Sequence, residues 1–245
     1  MILLLGGTTE AKQVATFLEE AGFVYIYSTR TEVNFSGKGK YRFGGLDKEQ
    51  MEDFCVEEGV EMIIDACHPF ARELHQTVAS IELDISLVRY QRHIPQRVDH
   101  PLVEYIEDYS DALTMLEQRS LKSLLALSGV QSIPLLRSYW SKHITWFRIL
   151  ERDYSKDFAA NYKFPEEYLI YGLPQKKEEE QKLLDRLKPE VVLTKESGVN
   201  GKVGEKIAAA IACKIPIMVL KAPLVPPELI LVDDLEQLKR VLPHA

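Results

Sequence analysis

A short, wholly apolar run breaks on two glycines and passes at once into an amphipathic stretch, and this alternation recurs along the chain. Ile2-Leu3-Leu4-Leu5 leads into Gly6-Gly7-Thr8-Thr9-Glu10-Ala11, after which Ala11, Val14, Ala15 and Leu18 return at helical spacing. A helix is therefore expected over residues 8–21, with Gly22 ending it. Residues 23–27, 62–64 and 85–88 read as further strands, with helices near residues 48–58 and 70–81 between them. Strands this uniformly apolar are buried on both faces, which predicts parallel sheets covered by helices.

The polar stretch 95–101 interrupts the alternation, which then resumes. Strands are expected at 103–106, 124–127, 145–150, 168–171, 191–194 and 217–220, and helices near 110–118, 175–187, 204–212 and 234–241. A chain of 245 residues has room for two such units. The expectation is an α/β protein of two Rossmann-like domains with mostly parallel sheets, one over residues 1–97 and the other over 98–245. The run Lys176-Lys177-Glu178-Glu179-Glu180 reads as the solvated start of a helix.

Composition removes several classes of function. No apolar run approaches the roughly 20 residues that span a bilayer, and the N-terminal strand is too short for a secretion signal. No membrane association and a cytoplasmic location are expected. The net charge of -7 argues against nucleic acid as a partner. Cys55, Cys67 and Cys213 are scattered, odd in number and without metal spacing, so neither a disulfide framework nor a metal site is expected.

The turn from Gly6 to Glu10 has the chemistry of a phosphate cradle. Amides at a helix N-terminus point outward, and the helix dipole favours an anion there. A bare βα turn capped by Thr8 would look the same. After the second strand stand Ser28, Thr29 and Arg30, where an NAD-binding fold often carries an acid. Hydroxyls and a guanidinium suit a 2′-phosphate, which favours NADPH; Glu32 nearby keeps NADH possible. The strand at 62–64 delivers Asp65 and His68 to a carboxyl edge, with Pro69 placed to open the next helix. There Asp65 could orient His68 or cap the helix. Thr194-Lys195-Glu196-Ser197-Gly198-Val199-Asn200-Gly201 forms a second turn suited to an anion.

Together these segments resemble the precorrin-6A reductase family of cobalamin biosynthesis. The resemblance rests on the blocks Leu3 to Ala11, Phe43-Gly44-Gly45-Leu46, Asp65-Ala66-Cys67-His68-Pro69-Phe70-Ala71, Leu125-Ala126-Leu127-Ser128-Gly129 and Leu193-Thr194-Lys195-Glu196-Ser197-Gly198. It implies two Rossmann-like domains with an active-site cleft between them, and hydride transfer from NADPH to one macrocycle double bond of a tetrapyrrole. Any cobalt would arrive with the substrate. The resemblance places Gly6, Gly7, Thr8, Thr9, Glu10, Ser28, Thr29, Arg30, Gly44, Gly45, Asp65, His68 and Pro69 around the cofactor. It implies that Arg89, Ser128, Gly129, Lys195, Ser197, Gly198 and Lys202 meet the substrate, with Arg92 beside them, and His68 is the candidate proton donor. Two departures stand out. Arg89-Tyr90-Gln91-Arg92 keeps only the arginine of the family's Arg-Pro-x-Trp, and Gly198-Val199 replaces a glycine pair. The same glycine turn would also serve a nucleotide-dependent transferase or a regulatory NADPH sensor.

Overall fold

The structure, a computed structural model, describes residues 1–91, 96–197 and 201–243. It divides the chain into two compact units, one made of residues 1–93 and 223–245 and the other of residues 94–222.

The first unit begins β1 (Ile2–Leu5), α1 (Thr9–Glu20), β2 (Tyr25–Thr29), β3 (Lys40–Phe43), α2 (Lys48–Glu57), β4 (Met62–Asp65), α3 (Arg72–Ala79) and β5 (Ser86–Tyr90). The second runs β6 (Val103–Ile106), α4 (Tyr109–Gln118), β7 (Ser123–Leu127), α5 (Arg137–Trp140), β8 (Ile144–Ile149), α6 (Asp153–Asn161), β9 (Leu169–Tyr171), α7 (Lys177–Leu187), β10 (Val191–Lys195), α8 (Val203–Ala212) and β11 (Ile217–Leu220). The chain then returns to the first unit as β12 (Ile230–Val232) and α9 (Leu235–Val241).

In the first sheet the strand order is β12-β5-β4-β1-β2-β3, and each pairing is parallel. Alternation along the strands supplies both cores. Ile2, Leu4, Tyr25, Tyr27, Met62 and Ile64 pack towards Ala11, Val14 and Leu18 of α1 and Leu238 of α9. Leu3, Leu5, Ile26 and Ile63 pack the other way, towards Met51 and Cys55 of α2 and Val78 of α3. The register sets Leu5 opposite Ser28 on one side and Asp65 on the other. Connections leave β1 and β4 in opposite directions along the sheet, so the carboxyl ends of these two strands flank a topological switch point.

The second sheet has the order β6-β11-β10-β7-β8-β9, again parallel throughout. Its direction reverses between β7 and β10, where Thr194 stands opposite Leu127. Ser128 and Lys195 therefore follow at one edge of the sheet.

Several expectations need correction. Residues 223–245 belong to the first unit, because β12 pairs with β5 through Ile230–Val88 and Val232–Tyr90. The domain boundary expected near 98, with everything after it in the second half, therefore does not describe the C-terminus. Strand β3 carries the polar sequence Lys-Tyr-Arg-Phe at a sheet edge, so no apolar run announced it. Helix α3 starts at Arg72 rather than opening at Pro69, leaving residues 66–71 as a loop. The supposed solvated run 176–180 ends on Glu180, which is buried.

Candidate functional site

In the first unit the turn after β1 is tied on both sides. Gly6 donates its amide to Ser28 O at 2.8 Å, continuing the β1–β2 ladder. A Cβ on Gly6 would lie 2.4 Å from the Tyr27 ring, so only glycine fits beneath the turn. Gly7 has φ +103° with open space where a Cβ would stand. Its amide donates to the Tyr27 hydroxyl at 3.0 Å, so it is already engaged rather than offered outward as the sequence suggested. Burial raises the Tyr27 phenol above its ordinary value, which keeps it the neutral hydroxyl that accepts this bond.

Thr8 is the N-cap of α1: its Oγ1 accepts from the Ala11 amide at 3.0 Å and donates to Ala66 O at 2.7 Å. One side chain thus satisfies a first-turn amide and binds the glycine turn to the end of β4. Cys67 adds a second link, its Sγ donating to Gly6 O at 3.3 Å. Gly7 and Thr9 are exposed at the head of α1. An exposed helix head with an open glycine beside it fits a dinucleotide phosphate.

Beneath this turn lies a network that the sequence did not reveal. Asp65 at the end of β4, His75 on α3 and Arg89 on β5 are 0 %, 5 % and 1 % exposed. His75 Nδ1 meets Asp65 Oδ2 at 2.5 Å, and its Nε2 meets the carbonyls of His68 and Pro69, each at 3.2 Å. Both ring nitrogens thus face oxygen atoms, which fixes the orientation of the ring. Arg89 donates to Asp65 O and Oδ1, both at 3.0 Å, to Cys67 O at 2.9 Å and to Gln91 Oε1. Burial alone would raise the Asp65 carboxyl, but the His75 bond and the Arg89 charge bring it below its ordinary value.

Two readings of these residues change. Asp65 orients His75, ten residues on, rather than His68. Arg89 is spent inside the fold and is withdrawn as a substrate residue, because its donors are consumed by Asp65, Cys67 and Gln91. His75 was missed because a histidine inside an amphipathic helix reads as surface or core filling. The three groups anchor the loop carrying His68 and Pro69. His68 is exposed, and its Nδ1 accepts from the Phe70 amide at 3.2 Å.

At the end of β2, Ser28 and Thr29 are buried and Arg30 is exposed. The sequence also missed Arg42 on β3. Its Nη1 donates to Ser28 Oγ at 2.6 Å, and its guanidinium lies 5.2 Å from the Phe54 ring centroid. Burial lowers its pKa from the ordinary guanidinium value. Gly44 follows β3 at φ +109°, and Gly45 is exposed beside it.

In the second unit, Ser128 is buried and shares a 2.7 Å bond with Ser132, whose hydroxyl also donates to Gly129 O. Ser128 is therefore tied inward. Beyond β10, Glu196 is 3 % exposed and receives a two-pronged bond from Arg97, at 2.9 and 3.1 Å, plus the Ala222 amide. Burial would raise the Glu196 carboxyl, but Arg97 and that amide bring it below its ordinary value. Ser197 donates to Lys195 O at 3.2 Å, and Lys202 is the left-handed N-cap of α8. Gly198, like Arg92, lies outside the described residues. No helix among the described residues is long and apolar enough to cross a membrane, and no cluster of His, Cys, Asp and Glu among them could hold a metal.

Two parallel, doubly wound sheets, with a glycine turn at the first switch point, define an α/β protein of the dinucleotide-binding type. Its sequence matches the profile of the family described as Precorrin-6x reductase CbiJ/CobK over residues 1–242, and the chain belongs to that family of oxidoreductases. It is 24 % identical over 232 residues to a cobalt-precorrin-6A reductase of Methanocaldococcus jannaschii, covering 91 % of this chain and 90 % of the relative. It is 27 % identical over 245 residues to a cobalt-precorrin-6A reductase of Priestia megaterium, covering 91 % of each. A precorrin-6A reductase of Rhodococcus erythropolis is 28 % identical over 244 residues, covering 95 % of this chain and 93 % of the relative. Among solved structures, a CobK precorrin-6A reductase superposes with a TM-score of 0.79 at 22 % identity, covering 98 % of this chain and 94 % of that one. The family assignment leaves the transferase and sensor alternatives without support.

Proposed function

We propose that this chain reduces one macrocycle double bond of precorrin-6A, or of its cobalt-bearing form, with NADPH held at the turn between β1 and α1. The observation that carries this reading is the reductase-family match over residues 1–242, which brings the glycine turn with it. A reduced nicotinamide bound there supplies the hydride; the residues of the chain supply orientation and charge.

In this reading Thr9 and Glu10 receive the pyrophosphate at the head of α1, while Gly6 and Gly7 leave it room and Thr8 caps the helix beneath it. Ser28, Thr29 and Arg30 form the adenosine end together with Arg42, whose bond to Ser28 Oγ supports a 2′-phosphate there rather than a free ribose hydroxyl. Gly44 and Gly45 give the cofactor room, and Asp65 and Pro69 act by holding the 66–71 loop. His68 donates the proton: with Nδ1 accepting from Phe70, the neutral ring carries its hydrogen on Nε2. Gly129, Lys195, Ser197 and Lys202 meet substrate carboxylates at the edge of the second sheet, with Ser128 shaping that turn. The setting is the cytoplasm.

The test is anaerobic oxidation of NADPH, and separately NADH, with the metal-free and cobalt-bearing substrates side by side. Turnover that depends on either tetrapyrrole, with NADPH preferred, supports the reading. NADPH binding without turnover on both substrates sinks it. The proton-donor role falls if His68→Ala binds both ligands and keeps its turnover.

A further inference from the structure

One buried charge of the second unit, that of Lys206, has little to balance it among the described residues. Arg148 on β8, Glu180 on α7 and Lys206 on α8 are 6 %, 1 % and 4 % exposed, and Thr194 on β10 is fully buried. Arg148 Nη1 donates to Glu180 Oε2 at 2.8 Å, while Glu180 Oε1 accepts the Gln175 amide at 3.1 Å. That pair is self-contained. Lys206 is the extra cation. It has three donors, and among the described residues its Nζ makes a single bond of 3.3 Å, to Thr194 Oγ1. It stands in the first turns of α8, where the helix dipole adds positive potential.

Each element packed around Lys206 contributes to this imbalance. Arg148 from β8 and Lys195 from β10 oppose its charge, and Glu180 from α7, already held by Arg148, is the one anion facing it among the described residues. Burial and these two cations bring the ammonium down to about 7. Such a group is neutral for much of the time near neutral pH, and an arriving anion would restore its proton. An apolar residue would fill this position without the desolvation cost that a buried lysine carries. The cluster lies under the carboxyl ends of β8 and β10, and β10 flanks the switch point of its sheet, the edge where α/β sheets bind ligands.

We propose that Lys206, with Arg148 and Lys195 around it, forms an anion subsite that takes a carboxylate of the tetrapyrrole substrate and fills its charge by drawing one proton from solvent onto Lys206. The subsite rests on the reading that this reductase acts on a polycarboxylate tetrapyrrole. It adds a residue that nothing in the alternation or the turn motifs pointed to. Its signature is proton uptake coupled to binding, which a lysine kept only for packing would not produce.

The experiment measures binding of uroporphyrin, a non-reacting tetrapyrrole with eight carboxylates, to the full-length wild type, Lys206→Met and Lys206→Gln. Affinity is followed from about pH 6 to about pH 9, with protons counted by calorimetry in buffers of different ionisation enthalpy. For the wild type, affinity is expected to fall by up to about tenfold per pH unit above about pH 7, with close to one proton taken up at the alkaline end. Both variants, checked for folding by their thermal transitions, are expected to bind roughly tenfold more weakly at about pH 6 and to lose this pH dependence and proton uptake. NADPH affinity serves as the second readout and stays at its wild-type value. Wild-type binding without proton uptake, variants that keep the full pH dependence, or no binding by any of the proteins overturns the subsite. Failure of substrate-dependent NADPH oxidation alongside coupled uroporphyrin binding would remove the reductase reading while leaving the subsite standing.

Discussion

Each unit buries charged side chains close to the switch point of its sheet, and the clusters around Asp65 and around Lys206 are wired differently. In the first unit Asp65 takes bonds from both His75 and Arg89, and the donors left over go to the carbonyls of Cys67, His68 and Pro69. In the second, Glu180 is held by Arg148 and the Gln175 amide, and among the described residues Lys206 is left with one long bond to a threonine. Complete pairing gives a rigid clamp in one place, and incomplete pairing leaves a group ready to change charge in the other. Buried ions with complete hydrogen bonding fix a geometry, whereas an incompletely paired cation responds to what arrives.

The largest effect is expected from breaking the clamp. Asp65→Ala leaves His75 and Arg89 buried without their carboxylate, and should cost about 3–5 kcal/mol in urea unfolding. An unchanged unfolding midpoint would mean that the network is not what holds the 66–71 loop. The pH dependence has a definite sign. Asp65 titrates below its ordinary value when folded, so its contribution is complete above the unfolded pKa and is lost as pH falls through the folded one. Acid unfolding of the wild type should therefore be steeper than that of Asp65→Ala.

Next comes Arg42→Ala at the adenosine end. Loss of a charge-assisted contact of about 1.5–3 kcal/mol should weaken NADPH by roughly 10- to 100-fold and leave NADH nearly unaffected. Equal losses for the two cofactors would move the 2′-phosphate elsewhere. Thr8→Ala removes both the α1 cap and the link to Ala66, and should lower stability by about 1 kcal/mol, read from the thermal midpoint.

The measurement that most sharpens the contrast is the stability of Lys206→Met against pH. The unfolded lysine titrates near 10.5 and the folded one near 7, so between those values the unfolded chain holds more protons. Wild-type stability should gain from this group as pH rises through that window, and Lys206→Met should lack the gain. A variant with an unchanged slope would place the titration on another group.

The alternation of apolar runs and amphipathic stretches made most strands and the α/β class legible, because burial on both faces writes itself into composition. The two edge strands of the first sheet escape that logic. β3 and β12 each meet only one neighbouring strand, so β3 could carry Lys40 and Arg42, and β12 could consist of three residues. The site divided along the same line. Gly6, Gly7 and Thr8 were readable because a strand-to-helix turn constrains local residue types. Arg42, His75 and Lys206 were not, since each gains its meaning from a partner on another element.

The glycine turn, the buried strands and the family blocks are properties of short stretches, set by local sterics and hydrophobic burial, and so the sequence alone determined the doubly wound class and where the glycine turn lies. Parallel pairing over long crossovers decided the rest. It returned residues 223–245 to the first sheet, turned Arg89 inward onto Asp65, and set Lys206 beneath β10 beside the Arg148–Glu180 pair. Charges acquire partners only when distant strands are brought into register, and that is where the tertiary structure outran the sequence.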